Sequence, residues 1–179
     1  MVLTQAELKT AILEELRNHS VMTLSTSGQD VPHAVSLMYA HDAFDIYWLS
    51  DPKTRHSRYL ASGSPAAITI AAQYQDFGEI RGLQMEGKAR LVTDAAAEGA
   101  GFDLLVAKYP FLKKFAAGKL AQHLGVAAVY VFRPATITLI DNSRGFGFKQ
   151  ALNLPDRSDA SGQSPATITN TVSATGDST

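Results

Sequence analysis

Ser50, Lys53, Thr54, Arg55 and His56 form the densest group of chemistry-bearing side chains in the sequence. They follow an apolar run (Phe44, Ile46, Trp48, Leu49) that stops at Ser50 and gives way to Asp51-Pro52. Aspartate is a good helix cap and proline suits a first helical position, so the spacing predicts a helix from Pro52 to about Ala61. Cations in a first helical turn face the positive end of the macrodipole, which costs about 0.3 kcal/mol or more each. A bound anion reverses that sign. Free amide N–H groups, a hydroxyl, a guanidinium and an imidazole at one strand-to-helix corner suit a phosphate. The competing reading is a solvated basic turn.

The elements that must position this corner can be followed by period. Thr4 caps a first helix carrying Leu8, Ala11, Ile12, Leu13 and Leu16 at helical spacing. Alternation then begins. Val21 to Thr26 and Val31 to Tyr39 flank the turn signal Ser27-Gly28-Gln29-Asp30, and a third strand runs from Phe44 to Leu49. Ala66 to Ala72 reads as a buried fourth strand. A fifth, about Glu79 to Val92, sets Leu83, Met85, Ala89 and Leu91 against Gln84, Glu86, Lys88 and Arg90. Gly87 within it marks a bulge or bend. Thr93 is expected to cap a helix over Asp94 to Lys108, Pro110 breaks it, and a helical piece covers Leu112 to Leu120. The last strand, Ala127 to Ile140, bends at Pro134. A glycine-rich loop, Asp141 to Lys149, follows. The expected class is α+β, a six-stranded antiparallel barrel with flanking helices, because the hairpin links are too short for parallel crossovers. One domain spans residues 1–153. Residues 154–179 are polar, lack aromatics, and are expected to be disordered.

Several chemistries can be set aside. A formal net charge of −1 leaves no electrostatic footprint for nucleic acid, and the lack of cysteine removes disulfides, iron–sulfur clusters and thiolate metal sites. The five histidines never fall at i, i+4 on one helix, so no metal site is expected. No phosphate-binding P-loop, complete dinucleotide fingerprint or serine-hydrolase elbow occurs. Neither a secretory signal nor a membrane-spanning stretch is apparent, so a soluble, cytoplasmic protein without membrane partners is expected. An enzyme built this way would take its hard chemistry from a cofactor.

Three stretches carry a wider likeness: Leu49-Ser-Asp-Pro-Lys-Thr-Arg-His56, Ile80-Arg-Gly-Leu-Gln-Met-Glu-Gly-Lys88 and Asp141-Asn-Ser-Arg-Gly-Phe-Gly-Phe-Lys149. With strand order and spacing, they make the chain resemble the pyridoxamine 5′-phosphate oxidase-like superfamily of flavin-binding split barrels over roughly Leu8 to Lys149. Within it, the third stretch points to a small, uncharacterised bacterial group. The resemblance implies a homodimer of six-stranded split barrels with FMN between subunits, serving a small-molecule electron donor or acceptor as an oxidoreductase. It places His33, Ala34, Val35 and Ser36 along the flavin ring. Leu49 and Ser50 close the third strand beside the phosphate, which Ser50, Lys53, Thr54, Arg55 and His56 hold. Gln84 meets the ring edge. No catalytic acid or base is implied. Departures are specific. Met38 stands where the oxidase type has a basic residue, the Arg-x-His segment that grips pyridoxal phosphate is missing, and His56 replaces a common lysine. The alternative is a non-catalytic flavin- or haem-binding module acting as sensor, carrier or stress-response protein, and split barrels also accept deazaflavins. Tyr47 and Trp48 are read as packing residues, and Phe146 and Phe148 as packing or a lid.

Overall fold

The computed structural model describes residues 2–28, 31–60, 63–116 and 126–155, with no side-chain account of 114–116. The tip of the first hairpin, the end of the helical piece after Pro110 and the tail from 156 onward lie outside the described residues. Helix α1 (Gln5–Asn18) begins as its sequence dictates. Thr4 Oγ1 accepts from the Glu7 amide at 3.3 Å and Glu7 Oε2 accepts from the Thr4 amide at 2.8 Å, a reciprocal capping box. Its apolar stripe, Leu8, Ala11, Ile12 and Leu16, is buried. Thr4→Ala is expected to cost about 1 kcal/mol, which lowers the unfolding midpoint by roughly 2–4 °C in a thermal melt.

One curled antiparallel sheet forms the body. Its strands are β1 (Val21–Gly28), β2 (Val31–Met38), β3 (Ala40–Asp42), β4 (Asp45–Ser50), β5 (Ser64–Ala71), β6 (Arg81–Leu91), β7 (Ala128–Asp141) and β8 (Lys149–Asn153). They run in the order β2-β1-β5-β6-β7-β4-β3, and β8 adds to β7. Among the described residues the count is therefore eight, not the expected six. β3 has only three residues, too few to show a period, and β8 hides behind the glycine-rich loop. Strand β7 has room for three partners because it is fourteen residues long. Along one edge it pairs with β6; the other is divided between β4 (Ile46 to Ser50) and β8 (Lys149 to Asn153).

The bend in β7 has a definite origin. Pairing steps from Glu86↔Thr136 to Gly87↔Pro134, so Ala135 has no opposite residue. Its freed carbonyl accepts from the Leu154 amide at 2.8 Å, and the Leu154 side chain packs on the core. Gly87 permits this close approach, since a Cβ there would stand 2.1 Å from the Arg133 carbonyl oxygen.

Inside the curl, Leu24, Ile46, Trp48, Met85, Phe132, Ile137 and Leu139 are buried, with Trp48 and Tyr130 stacked at 5.6 Å between ring centres. Arg81 ties α1 to the sheet, its Nη2 3.0 Å from the buried carboxylate of Glu15. Helix α2 (Arg55–Tyr59) crosses the end of β1 and β2. Helix α3 (Ala95–Lys108) is capped by Asp94, whose Oδ1 accepts from Ala97, rather than by Thr93. It lies outside the barrel over β4 and β7. There Gly101 lets the helix touch the sheet, as a Cβ would come within 2.9 Å of Val129 and 3.0 Å of Tyr47. A short helix, α4 (Phe111–Ala116), follows. Among the described residues no helix is long and apolar enough to cross a membrane.

Candidate functional site

The basic corner after β4 is built differently from its sequence expectation. Asp51 to Lys53 close a turn, with the Thr54 amide donating to the Asp51 carbonyl at 3.0 Å and the Lys53 amide to Asp51 Oδ1 at 2.8 Å. The helix therefore starts at Arg55, three residues beyond Pro52, with Thr54 at the cap position, and it lasts only five residues. So short a helix adds little macrodipole, and the anion argument passes to side chains.

Those side chains form a knot. Ser50 Oγ lies 2.8 Å from His56 Nε2, 3.2 Å from Thr54 Oγ1 and 3.0 Å from Ser57 Oγ; Thr54 Oγ1 is also 2.8 Å from Ser57 Oγ. Ser50, His56 and Ser57 are all buried. The His33 ring, arriving from β2, stacks on His56 at 6.2 Å and 11°. Burial holds the His56 pKa below its ordinary value, and the neighbouring His33 lowers it further. A neutral ring can accept the Ser50 hydroxyl at Nε2 across this 2.8 Å contact, which fits that direction. Across from His33, Thr26 has a buried hydroxyl without a hydrogen-bond partner among the described residues.

Around the knot cations outnumber the carboxylate of Asp51, whose Oδ1 is engaged by the Lys53 amide. Lys53, Arg55 and Arg58 are exposed, and none has a carboxylate partner among the described residues. Arg55 is steadied instead by Tyr59: its Nε donates to the Tyr59 hydroxyl at 3.0 Å and its guanidinium carbon sits 5.7 Å from the ring centre. Tyr59 in turn lies against Gly28, where a Cβ would come 2.2 Å from the ring. The gap left by one side chain thus seats the tyrosine that steadies the arginine.

Other expected residues are placed apart. β2 is a sheet edge. Its His33 and Val35 face the barrel half-buried, while Ala34 and Ser36 point out exposed. Being on an edge, it leaves a row of backbone N–H and C=O groups without strand partners among the described residues. Gln84 is exposed on β6, which stands three places from β2 in the sheet order. It belongs to an outward row, Ser36, Thr23, Thr69, Gln84, Thr138, that crosses five strands in register. Leu49 turns away from Ser50 and packs toward Phe102 of α3. Ser57, Tyr59 and Gly28 were not anticipated. Ser57 carried a faint signal, completing a Ser50, Thr54, Ser57 hydroxyl series, whereas Gly28 read only as a turn residue. Phe148 is half-buried but Phe146 is exposed, edge-on to Phe77 at 6.5 Å.

A pH effect follows from His56. Its folded pKa lies below that of the unfolded chain, so acid protonates the unfolded state first. Stability is full above the ordinary histidine value and is expected to fall as pH drops below about 6.5 and through the lowered folded value. His56→Asn should flatten the decline in unfolding midpoint between pH 7 and pH 5, and an unchanged profile would discount His56 as its source.

Comparison with known proteins bears on this arrangement. A family model described as pyridoxamine 5′-phosphate oxidase matches residues 8–141. The UPF0306 protein YhbP of Salmonella arizonae is 30% identical over 142 residues, 78% of this chain and 89% of its own. Among solved structures, a haem-binding protein from Mycobacterium smegmatis superposes with a TM-score of 0.65 at 18% identity. That match covers 86% of this chain, which spans only 59% of the other protein's length. General Stress Protein 26 from Bacillus anthracis superposes at 0.60 with 18% identity, covering 82% of this chain and 98% of that one. The structural likenesses establish the curled sheet alone. The sequence match runs from α1 to the end of β7, and on that ground the chain belongs to the pyridoxamine 5′-phosphate oxidase family.

Proposed function

We propose that this protein is an FMN-dependent oxidoreductase acting on small molecules, with the flavin held between two copies of the chain. The observation that carries this reading is one short segment that holds three cations without a carboxylate partner among the described residues, Lys53, Arg55 and Arg58, beside the clustered hydroxyls of Ser50, Thr54 and Ser57. A phosphate dianion wants such a donor set, and an arginine with a fixed Nε still has its terminal amino groups to offer. Ser50, Thr54 and His56 would fix the phosphate from behind, while Lys53 and Arg55 close over it from the rim. The free edge of β2, at His33 to Ser36, would orient the ring through backbone groups, and Gln84 would reach its edge from the outward row. FMN, when bound, supplies the two-electron transfer that none of these side chains performs.

The second subunit is supported by the outward sheet face. Met38 and Val21, paired in register, are 43% and 49% exposed, an apolar patch that a second copy would cover. The alternative is a non-catalytic flavin- or haem-binding module. Its haem form is favoured by the likeness to the Mycobacterium smegmatis haem-binding protein.

The visible spectrum of the purified full chain, titrated with FMN and separately with haemin, tests the choice. Saturation near one FMN per subunit, followed by NADH or NADPH oxidation, is the expected result. Bound flavin without turnover would leave a carrier or sensor. A Soret band that saturates with haemin, with no response to FMN, would overturn the flavin assignment.

A further inference from the structure

A second recess lies on the opposite side of β4 from the hydroxyl knot. Between α3 and the β4–β7 surface there is a cavity of about 310 Å³, walled by Leu49, Phe102, Val129, Ala95 and Gly99, with Glu98 beside them. Its cause is in the sequence. Positions 95, 98, 99 and 102 form one stripe of the helix at i, i+3, i+4 and i+7. Ala95 and Gly99 put almost nothing on that stripe, while Gly101 draws the helix onto Val129 and Tyr47 further along. A Cβ built at Gly99 would meet no atom within 4 Å. The floor is thus apolar, and the helix side is bare at Ala95 and Gly99, between Glu98 and Phe102.

Among the described residues that line the cavity Glu98 is the only charged one, and it is exposed, with no cationic partner among the described residues. A cavity of this size is at the lower end of the range that takes small ligands. An anionic ligand would face Glu98 with no cation among the described lining residues to receive it. A neutral hydrocarbon would fill the floor but leave the carboxylate unused. From this combination we infer that the cavity binds a compact apolar ammonium compound of the arylalkylamine kind. Its ring lies against Leu49, Phe102 and Val129, and its ammonium group pairs with Glu98. The first turn of α3 opposes a cation weakly through its dipole, and the carboxylate of Asp94 at the cap offsets that. This site does not depend on the flavin reading, because none of its charge comes from the Lys53–Arg58 segment.

Calorimetric titration of the full chain with 2-phenylethylammonium is expected to give saturable one-to-one binding with Kd of about 1 mM or tighter. The charge-inverted analogue 3-phenylpropanoate should bind at least ~10-fold more weakly. Gly99→Leu places a side chain in the cavity and favours the helix, so it should abolish the binding without lowering the unfolding midpoint. Glu98→Gln, at an exposed position, should weaken it roughly threefold. Failure to saturate by ~10 mM, equal affinity for the carboxylate analogue, or unchanged affinity in either variant overturns the inference. FMN titration of Gly99→Leu separates the two sites: flavin affinity should be unaltered, whatever the fate of the flavin proposal in the unsubstituted chain.

Discussion

Replacing Arg55 by alanine is expected to weaken FMN binding at least tenfold, about 1.4 kcal/mol. A charge-assisted hydrogen bond to phosphate contributes on the order of 1.5–3 kcal/mol when well formed. The lower end applies here because the guanidinium sits at an exposed rim. Its advantage is restraint. With Nε bound to Tyr59 and the group laid against the tyrosine ring, less side-chain freedom is lost when a phosphate arrives. Tyr59→Phe should therefore weaken binding as well, but by less than Arg55→Ala, since the charge remains. Quenching of FMN fluorescence on titration measures both. An Arg55→Ala protein with undiminished affinity would remove this residue from the site.

Gly87→Val should lower stability by about 2 kcal/mol or more, a fall of roughly 5 °C in the thermal midpoint. The obstruction is backbone rather than side chain. A Cβ at this position would lie 2.1 Å from the Arg133 carbonyl oxygen and 2.8 Å from the Pro134 Cα. Neither atom can rotate aside, so β7 must shift, and β4 and β8 are both hung on its other edge. Gly99→Ala is the matching control. It introduces the same kind of atom into open space and should leave the midpoint unchanged or higher. Equal midpoints for the two variants would mean that the bulge at Ala135 can relax at no cost.

How much of this was legible in the chain depends on the range of the forces involved. The alternation of Leu83, Met85 and Ala89 with Gln84, Glu86 and Lys88 is a local pattern, and β6 follows it. The Thr4–Glu7 capping box is local too. β3 and β8 escaped because their positions are decided by neighbours: three residues of β3 hold to β4, and β8 occupies the half of β7 that β4 leaves free. The short α2 was overestimated because Asp51-Pro52 suits a turn as well as a helix start, and the Asp51 side chain settled on Lys53. At the corner itself the residue types Ser50, Thr54, Arg55 and His56 were readable as anion-directed chemistry. Their convergence was not. It needs His33 from the far edge strand and Tyr59 against Gly28, contacts that no periodicity encodes. Gln84 shows the converse: alternation gives its outward face, but only strand register aligns it with Ser36.

The His33–His56 stack joins strand β2, one border of the sheet, to the segment that follows β4, next to the other border. Rolling the sheet is what brings these rings face to face, so the stack exists only where the two borders have met. Imidazole proton resonances from that pair would serve as a gauge of completed closure. Any molecule seated between the two borders acts as a clasp, and its departure should loosen the molecule along this seam first.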